Sequence, residues 1–117
     1  MSEHDIEKRT YEFSLRIVRL CRTLEKDRLG RILMNQVLRS GTSIGANVEE
    51  AQGAQSKPDF IAKMSIARKE ARETRYWLRI VADSNLQPQE KMLPIIQEAE
   101  ELMKIVSAII VSARRKT

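Results

Sequence analysis

The residue pattern with the clearest chemical use is a row of arginines in the second half of the chain. They are spaced four, three and four residues apart, which on a helix at about 100° per residue confines them to an arc of about 60°. Guanidinium groups on one rigid face can follow a phosphate backbone through bidentate hydrogen bonds and counterion release. The alternative is that the row has only a structural role, as a solvated face whose arginines pair with acids on another helix or subunit. The row consists of Arg68, Arg72, Arg75 and Arg79.

A second set of basic residues lies near the start of the chain. It is spread over a wider arc and lies among acidic residues, which favours ordinary surface charge there. A net charge of +5 and a sequence pI near 9.7 make polyanions suitable partners, although a basic surface that binds nothing explains the charge equally well. As candidate nucleic-acid contacts, this set consists of Arg16, Arg19 and Arg22.

A ridge of polar side chains, spaced three and four residues apart, forms the third pattern. Such a ridge needs hydrogen-bond partners, and polar residues on the border of the next predicted helix supply them across helices or across subunits. We expect a polar network that fixes helix register and oligomeric state, with a ligand site as the alternative. The ridge carries Ser40, Ser43, Asn47 and Glu50, and the facing residues are Lys69, Glu70, Glu73 and Trp77.

Residues suited to enzymatic chemistry are scarce. His4 is the single histidine and lies in an N-terminal tail, a poor position for a general base or a metal ligand. Cys21 is the single cysteine, and with no histidine to activate it we expect a small core residue. The acidic pairs lack the Glu-x-x-His spacing of a di-iron bundle. Gly41 and Gly45 are not followed by the Lys-Ser/Thr pair that completes a phosphate-binding loop. We therefore predict no catalytic residue, no metal site and no cofactor.

Four amphipathic helices must position these patterns, because apolar residues recur at spacings of three and four. The second continues through Gly41 and Gly45, since its apolar stripe keeps its phase and two glycines allow another backbone to approach closely. Short connections between helices of similar length predict an all-α, antiparallel, up-and-down four-helix bundle formed as a single domain by residues 1–117. The first two predicted helices run from Ile6 to about Glu25 and from about Arg31 to Gln55, joined by a charged connection at 26–30 that ends in a glycine. The other two run from a Ser56 cap to a turn at 83–85 and from near Pro88 to residues 114–116.

The composition predicts a cytoplasmic protein without a membrane segment. Hydrophobic residues make up 42% and charged residues 32%, a balance typical of globular chains. No uncharged apolar run reaches the roughly 18 residues of a transmembrane helix, and the N-terminal segment carries charges throughout, unlike a signal peptide.

Segments of the second and third predicted helices carry a family resemblance. Residues 39–51 read RSGTSIGANVEEA, residues 57–60 read KPDF and residues 66–74 read IARKEARET. Together they resemble the four-helix bundle proteins encoded in 23S rRNA intervening sequences, over nearly the whole chain. Ala51 stands where a Gly often follows the Glu of that pattern, and Gly45 where a Pro often lies. The signature falls on Ser43, Ile44, Asn47, Val48 and Glu50, with Lys69, Glu70, Glu73 and Trp77 as its counterpart.

The resemblance implies a bundle that assembles into a homopentameric ring and brings no catalytic residues. A related accessory protein of diversity-generating retroelements works with a reverse transcriptase and binds nucleic acid through a basic surface. The resemblance therefore implies RNA or an RNA/DNA hybrid, and a reverse transcriptase, as partners. The alternative function is a structural or adaptor module that binds another protein and uses the arginine row in assembly.

Overall fold

The computed structural model describes residues 3–116, with side chains described for residues 5–116, and across this part of the chain it contains four α-helices and no strand. This confirms the all-α prediction. The helices are α1 Glu3–Leu24, α2 Arg28–Gln52, α3 Lys57–Asp83 and α4 Gln89–Arg115.

The four helices pack in chain order, each against the next, and α4 closes the bundle through a sparse contact with α1. Within the described residues, helices on opposite corners make no close contact. Connections 25–27, 53–56 and 84–88 are too short for a crossover, so neighbouring helices run antiparallel. The molecule measures 50 × 22 × 19 Å, and the up-and-down four-helix bundle is confirmed.

Side-chain caps set where α2 and α3 begin. As predicted, Ser56 caps α3: its Oγ accepts a hydrogen bond from the Asp59 amide at 3.2 Å. The predicted start of α2 at Arg31 was wrong, because Asp27 caps a helix that begins three residues earlier. Its Oδ1 accepts a hydrogen bond from the Gly30 amide at 2.9 Å. Gly30 thus belongs to the first turn of α2 and does not end a loop.

The end of α2 also differs from its prediction. The helix stops at Gln52, not Gln55, and Gly53 is its C-cap. The Gly53 amide donates to the Glu50 carbonyl at 3.1 Å, a tightened last turn that satisfies one of the free carbonyls. The apolar stripe had already ended at Ala51, so periodicity gave no boundary signal in the last residues.

Helix α2 runs unbroken through its two internal glycines, as predicted, and the reason is close packing against α1. A Cβ at Gly41 would lie 2.7 Å from Cγ1 of Ile17. At Gly45 it would lie 3.2 Å from the Thr10 carbonyl oxygen and 3.3 Å from the Ser14 hydroxyl. The glycines weaken the isolated helix but let the two backbones approach where a side chain would separate them.

Aliphatic side chains and methionines fill one core shared by the four helices, and Phe13 is the one buried aromatic ring among residues 5–116. Buried hydroxyl groups in this core donate to the carbonyl four residues earlier in their own helix, so burial leaves them satisfied. The hydroxyl bonds are Thr10 to Ile6 at 2.8 Å, Ser40 to Gln36 at 2.8 Å and Thr74 to Glu70 at 2.7 Å.

No described helix combines the length and the apolar character needed to cross a bilayer.

Candidate nucleic-acid interface

The arginine row lies along the side of α3 that borders α4. Arg72 and Arg79 are exposed, whereas Arg68 and Arg75 are half-buried. Nε of Arg75 lies 3.5 Å from Oε2 of Glu100 on α4, and this contact fixes which side of α4 adjoins the row. Among the described side chains, the other three arginines have no ion-pair partner within 4 Å. Their charges are therefore available to a ligand.

Helix α4 adds a further cation to this surface. Lys104 is exposed and lies one turn after Glu100, on the same side of α4. Two acids border these cations: Glu100, which contacts Arg75, and Asp83, which lies one turn after Arg79. We call this surface the basic face, and it consists of Arg68, Arg72, Arg75, Arg79 and Lys104.

The cations of α1 do not form a second row. Arg16 is half-buried, and Arg19 and Arg22 are exposed. Arg16 and Arg22 are six residues apart, so they point about 120° away from each other around the helix. They also share α1 with Arg9, whose guanidinium is neutralised by Glu98. This set gives no continuous track for a phosphate backbone.

The two acids of α3 that were expected in a polar network are held by Arg39 of α2. Its Nη1 lies 3.4 Å from Oε2 of Glu70, and its Nη2 donates to Glu73 Oε2 and, at 3.1 Å, to Oε1 of Gln36. The Trp77 indole N–H donates to the same Glu73 oxygen at 3.0 Å. We call these five residues the Arg39 network.

Sequence reasoning placed Glu70, Glu73 and Trp77 together but did not select Arg39 as a site residue. Glu70 is 8% exposed, and an acid buried to that extent needs a cation or several donors. The sequence signal for Arg39 is its position four residues before Ser43, which puts a cation on the ridge side of α2. The partner of each acid depends on the α2/α3 register, which spacing within one helix cannot give.

Glu73 has a lowered pKa. The largest cause is the hydrogen bond from Trp77, followed by the hydrogen bond and charge of Arg39, with a smaller contribution from Lys69. Partial burial acts in the opposite direction but is outweighed. The carboxylate is therefore ionised and holds the Trp77 indole in place.

Among the described side chains, the other ridge residues make no hydrogen bond or ion pair to α3. The Asn47 amide donates to the Ser43 carbonyl at 2.9 Å and to the Ser43 hydroxyl at 3.1 Å, because residues four apart on one helix are neighbours. Glu50 and Lys69 are exposed. The structure brings together two residues of the ridge and, separately, three of the facing set.

Cys21 is buried on the inner face of α1, 4% exposed, with its Sγ 3.8 Å from the Met34 carbonyl oxygen. Burial raises the pKa of the thiol to about 11, which opposes thiolate formation. The His4 side chain lies outside the described residues. In the described remainder, no three residues of the His, Cys, Asp and Glu types come together as a metal site would need.

Comparison with known proteins agrees with this architecture. A crystal structure of a protein of unknown function from the S23 ribosomal protein family of Bacteroides thetaiotaomicron VPI-5482 superposes with a TM-score of 0.89 and 40% sequence identity. The match covers 94% of this chain and 98% of that chain. No curated protein matches the sequence. The family model described as 23S rRNA-intervening sequence protein matches residues 2–108, which include the basic face and the Arg39 network, and the chain belongs to that family.

Proposed function

We propose that this protein is a non-enzymatic, oligomeric four-helix bundle that binds RNA or an RNA/DNA hybrid through its basic face. The single observation that carries the proposal is the geometry of Arg68, Arg72 and Arg79: one helix side, no ion-pair partner among the described residues, and a groove bordered by Lys104. The planar guanidinium fork is pre-organised, so arginine loses less side-chain entropy per hydrogen bond to phosphate than lysine does.

The length of the row fits a short stretch of nucleic acid backbone. Arg68 and Arg79 are eleven residues apart, or about 16 Å at 1.5 Å per residue. At the rise of about 3.4 Å per nucleotide in each strand of a DNA duplex, this span corresponds to roughly five phosphates of a helical strand. A homopentamer, as the family resemblance implies, would present the row five times and multiply a weak contact by avidity.

Assembly has a suitable surface on the opposite side of the bundle. The α1/α2 side exposes Tyr11, Leu15 and Leu38, which are 65%, 41% and 37% exposed. A shallow depression beside Gly45 adds space for an incoming side chain. An oligomer formed through α1 and α2 leaves the α3/α4 side open to nucleic acid.

Two triple variants that remove the same charge test the proposal. One replaces Arg68, Arg72 and Arg79 by Gln, and the other replaces Arg16, Arg19 and Arg22. RNA affinity is measured from 50 to 200 mM salt. We expect the first variant to flatten the slope of log affinity against log salt by about 2, and the second to change it much less. Absence of RNA binding at 50 mM, or equal slopes for both variants, would contradict the proposal.

The adaptor function is the second candidate, because the α3/α4 side also exposes large apolar residues. Leu93 is 55% exposed and Val111 is 44% exposed, as at a protein interface. If the arginine row serves assembly, the Arg68, Arg72 and Arg79 variant becomes monomeric in light scattering. If it serves nucleic acid, the oligomer stays intact and RNA binding is lost.

Gene position tests the part of the proposal that concerns other partners. A gene beside a reverse transcriptase gene supports the accessory role that the resemblance implies. An open reading frame inside an rRNA insertion supports an RNA-binding role without that enzyme.

A further inference from the structure

An exposed aromatic ring lies beside the arginine row. Tyr76 is 56% exposed and follows Arg72 by four residues and precedes Arg79 by three, so it lies within about 40 to 60° of both around α3. Aromatic rings next to cations are the combination that binds single-stranded nucleic acid: the cations hold phosphates and the ring stacks on a base.

The ring of Tyr76 contacts a second aromatic ring, that of Trp77. Its centroid lies 5.2 Å from that of Trp77, in an edge arrangement with 75° between the ring planes. The indole of Trp77 is tied to Glu73 at 3.0 Å, and Arg39 of α2 holds Glu73 in turn. The Arg39 network therefore fixes the support on which Tyr76 rests, and a base that stacks there meets a pre-organised ring.

A shallow depression lies next to the exposed ring. It has a volume of about 370 Å³ and is lined by Tyr76, Arg79, Ile80, Asp83 and Ser84. The Asp83 carboxylate repels phosphate but can accept hydrogen bonds from the amino groups of a base. Arg79 and Asp83 lie one turn apart on α3 and both line the depression, so a phosphate donor and a base acceptor lie next to the same ring.

We propose that Tyr76 is a stacking platform for an unpaired base, so that the basic face takes single-stranded RNA in preference to a duplex. This inference rests on the proposed function and names its substrate class. Bases in a duplex are stacked on one another and cannot cover the ring, whereas an unpaired base can do so without a cost of unpairing.

The test uses the full chain and two leucine variants, Tyr76→Leu and Tyr11→Leu. Tyr11, the other tyrosine of the chain, is 65% exposed and lies on the α1/α2 side proposed for assembly, so Tyr11→Leu is the matched control for losing an exposed ring, and light scattering verifies that both variants keep the oligomeric state of the parent chain. Affinity is measured for a 12-nucleotide unstructured RNA and for a duplex of the same length. We expect Tyr76→Leu to weaken single-strand binding by about 5- to 150-fold with an unchanged salt slope, and to leave duplex binding alone.

Two further readouts separate stacking from folding. Tyr76→Phe keeps the ring and should keep the affinity, and the melting temperatures of the variants report their stability. Trp77 is the only tryptophan, so quenching of its emission on binding reports a base near the platform. Single-strand binding that is unchanged in Tyr76→Leu overturns this inference and leaves the proposed function standing. A parent chain that binds neither RNA overturns both.

Discussion

Arg9 and Glu98 form an ion pair with two hydrogen bonds that joins the first helix to the last. Nε of Arg9 lies 2.7 Å from Oε2, and Nη2 lies 2.8 Å from Oε1. The hydrogen bond to Glu98 is the largest cause of the raised pKa of Arg9, and it outweighs partial burial. Because α1 and α4 otherwise touch sparsely, this pair is a principal link across that side of the bundle.

Replacing Glu98 by Gln should lower the free energy of unfolding by about 1 to 2 kcal/mol, because the pair is partly buried and joined by two hydrogen bonds. Urea denaturation measures the change. Glu100→Gln is the matched control, since its contact with Arg75 is longer, at 3.5 Å, and its side chain is 43% exposed. We expect that control to cost less than about 0.5 kcal/mol. Equal losses in the two variants would contradict this ranking.

Gly41→Ala should destabilise the protein by about 1 to 2 kcal/mol, although alanine favours helix by up to about 1 kcal/mol. The new Cβ would lie 2.7 Å from Cγ1 of Ile17 in a packed core. Gly53→Ala is the control, because a Cβ there has its nearest neighbour at 3.7 Å. Thermal melts of both variants give the comparison.

A second variant tests whether contact with Ile17 causes the loss of stability in Gly41→Ala. In an Ile17→Ala background the obstructing side chain is absent, so Gly41→Ala should raise stability through helix propensity. A Gly41→Ala cost that persists in that background would show that Ile17 is not its cause.

The lowered pKa of Glu73 makes its contribution depend on pH. A carboxyl group with a lower pKa in the folded than in the unfolded state stabilises above the unfolded pKa of about 4.3. That stabilisation is lost as pH falls through the folded pKa. The stability difference between the parent chain and Glu73→Gln should therefore be largest near neutral pH and shrink in acid.

Denaturation curves from pH 7 to pH 3, followed by circular dichroism, measure the effect of Glu73. Trp77→Phe removes the largest single cause of the pKa shift and Arg39→Gln removes the hydrogen bond and charge of Arg39, so each variant should weaken the pH dependence. A Glu73→Gln difference that stays constant over this pH range would refute the assignment.

Cys21 should resist alkylation in the folded protein. Its thiol has a pKa of about 11 and is buried, so at pH 8 both the thiolate fraction and the access of reagent are low. We expect reaction with iodoacetamide to be at least about a hundredfold slower than in denaturant. Mass spectrometry of timed samples provides the rate, and a comparable rate in both states would argue against the buried position.

Much of the fold was predictable because its signals are local. The Ser56 cap and the phase of the stripe through Gly41 and Gly45 lie within one helix, and the structure agrees with each. The start of α2 was mistaken because Asp27 was read as part of a charged connection, although it is an N-cap residue with a glycine three positions later. The start of α2 is set by the Asp27 side-chain cap, and hydrophobic periodicity carries no information about that cap.

The candidate site was less predictable, because its contacts join different helices. Spacing alone aligned the arginines of α3, but which of them meets an acid depends on how α4 is aligned beside α3. The pairing of Arg39 with Glu70 and Glu73 depends in the same way on α2 and α3. Residues on one helix face can be grouped from sequence, whereas their partners require the register between helices.

Packing between consecutive helices bears on the speed of folding. Most tertiary contacts join segments that are neighbours in the chain, which is the low contact order associated with folding in microseconds to milliseconds. The bond between Arg9 and Glu98 spans 89 positions and so closes a long loop. We expect it to form after the folding transition state, so that Glu98→Gln accelerates unfolding and leaves the refolding rate nearly unchanged in stopped-flow measurements.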